Sequence, residues 1–210
     1  FLEKEKLKNK MIISVCPAYL PSVEYMSWVI NQKKLYFLTS GHYQKQTYRN
    51  RAEIYGPNGK LKLIIPVTKN RGSNHQKDIE TMIDNNFLWQ KNHWRSLQMS
   101  YRASPYFEFY EEDFYPFYNN KISGLMELNI GLIKVVLKLL KFEIPIEEKK
   151  NNKVKEKRDL IISKKIVTLS ILKYNQVFID KHGFLSNLSI VDLLFNLGPE
   201  SLNYLKNLRI

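Results

Sequence analysis

The sequence is poor in the residues that announce special chemistry. Cys16 is the one cysteine among 210 residues, so an internal disulfide framework and every cysteine-rich zinc site are excluded. A lone thiol fits a reducing compartment, and a cytoplasmic location is expected. No apolar run reaches the length of about 18 residues needed to cross a bilayer. The best stretch, Gly124–Phe142, is broken by Glu127, Lys134, Lys138 and Lys141. Those four fall on one stripe at helical spacing, which predicts a nearly buried helix with one wet edge. No transmembrane segment is expected. The chain also lacks a Walker loop, a G-x-G-x-x-G, an H-E-x-x-H and a G-x-S-x-G. His42, His75, His93 and His182 have no metal-ligand spacing, so no metal site is expected and no cofactor is assigned.

What is present reads as globular. A hydrophobic fraction of 44% with 13% aromatic residues is enough for a real core. One domain is expected over 11–210, beginning at the apolar run that Met11 opens. Phe1–Lys10 is charged throughout and lacks the apolar stretch of a secretory signal, so it is expected to be an extension outside the fold. The formal net charge is +13, which raises the question of a phosphate-bearing partner. Much of the excess sits in that extension and in Lys149–Lys165, where eight basic residues face Glu156 and Asp159. Lysine runs of this kind are ordinarily solvated. The Lys149–Arg158 run has no aromatic on which a base could stack, which argues against a nucleic-acid partner. Residues 143–158 are expected to be a surface excursion.

The apolar pattern predicts an α/β fold, a mixed or mostly parallel sheet flanked by helices with a small helical C-terminal lobe. Ile12–Cys16 reads as a buried strand that Pro17 and Pro21 end. Pro21-Ser22 opens a helix through about Asn31, and Leu35–Leu38 is a second strand. This strand–loop–helix–strand unit is the local signature of an α/β sheet. Gly56-Pro-Asn-Gly59 is a turn leading into a strand over Lys60–Val67, and Lys69–Lys77 is a polar loop. Helices are expected over Phe87–Arg102, 122–142, Ser189–Asn196 and Glu200–Leu208, with Tyr174–Ile179 extended. Tyr106–Tyr118 is eight-thirteenths aromatic with acids interleaved; its rings are expected in the core.

Tyr43–Arg51 (YQKQTYRNR) is the most informative segment. Lys45, Arg49 and Arg51 share one face if the chain there is extended, with Asn50 between the arginines. Arginine forks match phosphate or carboxylate oxygens in pairs. A second cluster, Trp89–Arg95, contains His93 and Arg95, and histidine can move protons near neutral pH. One reading brings Lys45, Arg49, Asn50 and Arg51 together with His93, Arg95 and Glu108 in one pocket. Arg49 and Arg51 would clamp an anionic small molecule such as a nucleotide sugar, and His93 would act as acid or base. The other reading has Glu108, Glu111 and Asp113 neutralise the arginines in a structural network. Cys16 reads as a small core residue, or as a nucleophile were it to face His93 or His182.

Several blocks together carry a resemblance. Pro17-Ala-Tyr-Leu-Pro21-Ser22, Tyr43–Arg51, Gly56–Gly59 with Leu63–Val67, His93-Trp-Arg-Ser96, Tyr101 through Tyr110, and Gln176-Val-Phe with Leu188–Pro199 occur in this order. In that pattern the chain resembles the WbqC-like family of bacteria. The resemblance implies a role in surface-polysaccharide (O-antigen or capsule) precursor synthesis. The reading that follows is an enzyme acting on a nucleotide-linked sugar, one that would place an acyl or aminoacyl group on a sugar amine. The alternatives are a non-catalytic binding or scaffold protein of the same pathway, and an RNA- or tRNA-binding protein.

Overall fold

The structure is a computed structural model that describes residues 12–68, 76–149, 154–164 and 170–208. The expectation for residues 1–10 lies outside them, as does most of the expected loop Lys69–Lys77. Strand β1 (Ile13–Ser14) leads through the Pro17–Pro21 loop to α1 (Val23–Ile30). Ser22 caps that helix, its side chain accepting from the Tyr25 backbone at 3.2 Å, which satisfies one of the free N–H groups of the first turn. All eight residues of α1 are buried. The helix therefore lies inside the molecule, with no wet face of its own. Strand β2 (Leu35–Leu38) follows.

Two later strands complete a parallel sheet. β2 pairs in parallel with β5 (Ile146–Lys149), Leu35 opposite Ile146. β1 pairs in parallel with β6 (Lys155–Glu156), Ser14 opposite Glu156. A parallel bridge between Val15 and Phe37 joins the two pairs, giving the order β6–β1–β2–β5. The α/β expectation holds. The stretch 143–158 is a correction, because it supplies two strands where a surface excursion is expected. Its charge misled for a physical reason: outer strands carry charged side chains on their free edge. Here Glu147 pairs with Lys34 at 2.6 Å and also with Lys149.

Strands β3 (Arg51–Gly56) and β4 (Gly59–Ile64) form an antiparallel hairpin closed by Pro57-Asn58. Gly59 has φ +94°, a region that only glycine enters without steric cost. β4 stops at Ile64, short of the expected Val67, since Pro66 has no N–H to offer a ladder.

The helices are α2 (Trp89–Tyr101), α3 (Phe107–Asn119), α4 (Leu125–Leu139), the short α5 (Ile179–His182), α6 (Ile190–Leu197) and α7 (Ser201–Asn207). The aromatic segment is α3. Phe107, Phe114 and Tyr118 form its buried stripe, while Phe109 and Tyr115 are exposed, so the core takes only part of its rings. Along α4 the exposed residues are Glu127, Lys134 and Lys138, with Lys141 just beyond, the wet edge expected. α6 buries Phe195 against Tyr101, Phe107 and Phe114. α7 returns to α1, where the Ser27 hydroxyl donates to the Leu205 carbonyl at 3.1 Å. No described helix is long and apolar enough to cross a membrane.

Candidate functional site

The carboxyl ends of the parallel strands converge on a buried charge cluster. After β2 the chain runs beside residues 76–79: Ile79 donates to the Thr39 carbonyl at 3.1 Å and Asp78 to the Gly41 carbonyl at 2.7 Å. This places the Asp78 side chain under the sheet edge, where Arg49 meets it from the 43–50 turn. Arg49 donates through Nε to Asp78 Oδ1 at 2.8 Å and through Nη2 to Oδ2 at 3.2 Å. Its Nη2 also lies 3.5 Å from Glu156 Oε1, at the end of β6. The Cys16 thiol points at Asp78 Oδ2 from 3.7 Å. Asn129 of α4 donates to the Arg49 carbonyl at 2.7 Å and the Pro17 carbonyl at 3.1 Å, tying both loops to the helix. Burial pushes the Cys16 thiol well above its ordinary value and the Asp78 carboxyl upward, with the Arg49 charge opposing in both cases. Cys16 is thus a protonated thiol beside a carboxylate and faces neither histidine.

Gly41 is held to glycine by this arrangement, because a Cβ there would sit 2.6 Å from Asp78 Oδ2. Gly41→Ala is expected to cost about 1–3 kcal/mol through overpacking. Urea unfolding at neutral pH measures it, and a loss below ~0.5 kcal/mol would contradict the close fit.

A cleft of about 540 Å³ opens beside the cluster. Thr39 and Glu148 line it from the ends of β2 and β5, and Glu127, Ile130 and Lys134 from α4. The hydroxyls of Ser14, Thr39 and Ser40 are buried at this edge with no hydrogen-bond partner among the described residues. Buried polar atoms are ordinarily paired, so three orphans at one strand edge call for a cause.

His93 lies elsewhere. Its Nδ1 is 2.9 Å from the Tyr19 hydroxyl, itself 2.9 Å from that of Tyr118, and the Ile64 backbone bonds the ring as well. Burial lowers its pKa to about 4, against a small raising effect of the Ile64 bond, so it is neutral at pH 7. With Ile64, Trp89 and Leu88 it lines a mostly apolar pocket of about 270 Å³.

A family model, that of the WbqC-like proteins, matches residues 16–170, a span that runs from Cys16 past Glu156. The chain belongs to the WbqC-like protein family. Within the family match lie Cys16, Arg49, Asp78 and Glu156, while the block from Gln176 to Pro199 falls beyond it. A relative from Mycobacterium tuberculosis (strain ATCC 25618 / H37Rv), named Uncharacterized protein Rv1507c, is 25% identical over 234 residues, covering 95% of this chain and 99% of its own. No solved structure matches the chain.

In this WbqC-like protein the residues singled out in the sequence separate. Arg49 and Asn50 are buried, Arg51 is half-buried at the head of β3, and Lys45, Arg95 and Glu108 are exposed. The segment 43–50 is a turn and not an extended strand, so the shared face of Lys45, Arg49 and Arg51 does not form. Arg95 lies two residues past His93, roughly 200° around the helix. The anion clamp expected of Arg49 is corrected by its geometry, since Asp78 occupies its fork. The structural-network alternative is corrected too: the partners of Arg49 are Asp78 and Glu156, whereas Asp113 pairs with Lys138 at 2.6 Å. Asn50 donates to the Ile65 carbonyl at 2.8 Å, and Arg51 Nε is buried without a hydrogen-bond partner among the described residues. Sequence reasoning missed Asp78, Glu156, Thr39 and Asn129. Only Asn129 left a signal, as a lone amide on the apolar side of the 122–142 helix.

Proposed function

We propose that this chain binds a hydroxyl- and amine-bearing sugar intermediate of bacterial surface-polysaccharide synthesis in the cleft at the strand ends. The reaction that fits is transfer of an acyl or aminoacyl group to the sugar amine. The observation that carries the reading is the unpaired hydroxyl of Thr39, which lines this cleft, with the hydroxyls of Ser14 and Ser40 also unpaired at the neighbouring carboxyl ends of the parallel strands. That edge is where open α/β sheets take their ligands. The cleft lines two carboxylates, Glu127 and Glu148, with one ammonium, Lys134. This balance suits an amine and hydroxyls better than a pyrophosphate, so the sugar end of a nucleotide sugar is assigned to it. A non-catalytic binding protein is the second reading. It is favoured by a buried, protonated Cys16 and by a His93 whose hydrogen bonds are made inside the protein.

Thermal melts of the full chain with glucosamine, a UDP-linked amino sugar, acetyl-CoA and tRNA test this, because a ligand of the native state raises apparent stability. The amine-bearing sugars are expected to raise the midpoint, and Thr39→Val or Glu148→Gln to abolish the rise. Without ligand, Thr39→Val should gain about 1 kcal/mol, since it removes an unpaired buried hydroxyl while keeping its shape. A rise with tRNA alone, steeply reduced by salt, would overturn the reading. Acetyl transfer to the amine separates the enzyme from the binding protein.

A further inference from the structure

The acids and rings of α3 that the core leaves out line a second cleft, away from the strand ends. Between α2 and α3 a space of about 600 Å³ is bounded by Trp94, Gln98, Glu111, Glu112 and Tyr115. Trp94 is half-buried, its ring set against Tyr118 at 5.5 Å and Phe107 at 6.1 Å between centroids. Tyr115 stands 5.3 Å from it at 55° and is 46% exposed. A fixed indole and an exposed phenol thus make an angled corner. Trp94 and Gln98 are four apart on α2, and Glu111 and Tyr115 four apart on α3, so each pair shares a helix face. Glu111 and Glu112 form no ion pair among the described residues.

We propose that this corner binds a pyranose unit of a saccharide. The indole face carries negative charge density and attracts the polarised C–H face of a sugar ring. Hydroxyls around that ring would donate to Glu111 and Glu112, in bonds strengthened by the carboxylate charge, and the Gln98 amide offers both a donor and an acceptor. An anion would be repelled by the two acids, and a flat apolar ligand would leave both carboxylates desolvated without partners. The volume lies within the usual range for a small-molecule site and exceeds what a simple ammonium needs. The strand-end cleft plays no part in this assignment.

The test follows the indole N–H resonances of the full chain, which has three tryptophans, with Trp94 assigned through Trp94→Phe. Glucose, galactose and glucosamine are added up to about 50 mM, enough to detect a millimolar Kd. At least one sugar is expected to move the Trp94 resonance saturably, beyond any movement of Trp28 or Trp89. Glu112→Gln should weaken that binding about tenfold or more, and Tyr115→Ala should abolish it. Thr39→Val should leave it unchanged, which separates a failure here from a failure of the strand-end site. Glu112 and Tyr115 are exposed, so both variants should melt like the parent; if Tyr115→Ala does not, Glu112→Gln carries the test. The proposal is overturned if no sugar gives a saturable shift. It is equally overturned if choline matches the best sugar, or if Glu112→Gln binds as tightly as the parent.

Discussion

Replacing Arg49 by methionine is expected to destabilise the protein by about 3–5 kcal/mol at neutral pH, the usual cost of removing one partner from a buried ion pair. Arg49, Asp78 and Glu156 are all nearly sealed from water, at 2%, 1% and 7% side-chain exposure. Methionine fills much of the arginine volume but leaves the Asp78 carboxylate with no cation, while Glu156 keeps only the exposed Arg158, 2.6 Å from its other oxygen. The loss should shrink on acidification, as those carboxylates protonate and no longer need a partner. It should shrink also in an Asp78→Asn background, where one of the two charges is gone. Urea denaturation of the single and double variants at two pH values measures all of this. A loss of under ~1 kcal/mol for Arg49→Met at pH 7 would mean that the cluster is wetter than its geometry says.

Stability between pH 4 and 6.5 is expected to hide two opposed titrations. His93 has its pKa lowered to about 4. Its contribution is whole above the unfolded value near 6.5 and is lost as pH falls through 4, a change of about 3 kcal/mol. Asp192, buried in α6, has its pKa raised to about 6 by burial, with hydrogen bonds from Tyr174 and Gln176 acting the other way. Its contribution is whole below the unfolded value near 3.8 and is lost as pH rises through 6, again about 3 kcal/mol. In the parent chain the two nearly cancel across the same window. Asp192→Asn should expose the first: relative to the parent, it loses about 3 kcal/mol between pH 7 and 4. His93→Gln should expose the second and gain a similar amount over that interval. Parallel pH curves for the parent and both variants would sink the idea.

The parts of the fold legible in the sequence are those with local punctuation. Pro17, Pro21 and Ser22 mark the exit from β1 and the start of α1, Gly56 and Gly59 bracket the hairpin, and the charged stripe of α4 shows its wet edge. β5 and β6 were hidden because an outer strand of Glu and Lys has the composition of a solvated loop, and only its partners Leu35–Leu38 and Ile13–Ser14 reveal it. α3 was hidden by a density of aromatics that swamps the buried stripe of Phe107, Phe114 and Tyr118. At the site, the sequence pointed to Arg49 as a cation awaiting an anionic ligand or an internal carboxylate, but the carboxylates that pair it come from far along the chain. Asp78 and Glu156 stand 29 and 107 positions away, and no spacing rule reaches across such distances. His93 was singled out for its chemistry, yet its pairing with Tyr19 depends on how the Pro17–Pro21 loop folds back, which is a tertiary fact.

The pairing of β2 with β5 also sets a timetable. β1, α1 and β2 leave the ribosome together, but Ile146–Lys149 and Lys155–Glu156 follow roughly a hundred residues later. At about 5–20 residues per second, the open edges of Leu35–Leu38 and Ile13–Ser14 wait on the order of ten seconds for their neighbours. Through that interval Arg49 can already meet Asp78, while its second carboxylate, Glu156, is still unmade. The sheet therefore closes from the outside and late, by parallel pairing across long loops, which is the slow kind of strand pairing. A nascent chain halted near residue 140 would hold a neutral Arg49–Asp78 pair and two apolar strand edges exposed to other chains, so chaperone demand for this protein should peak before its last third is translated.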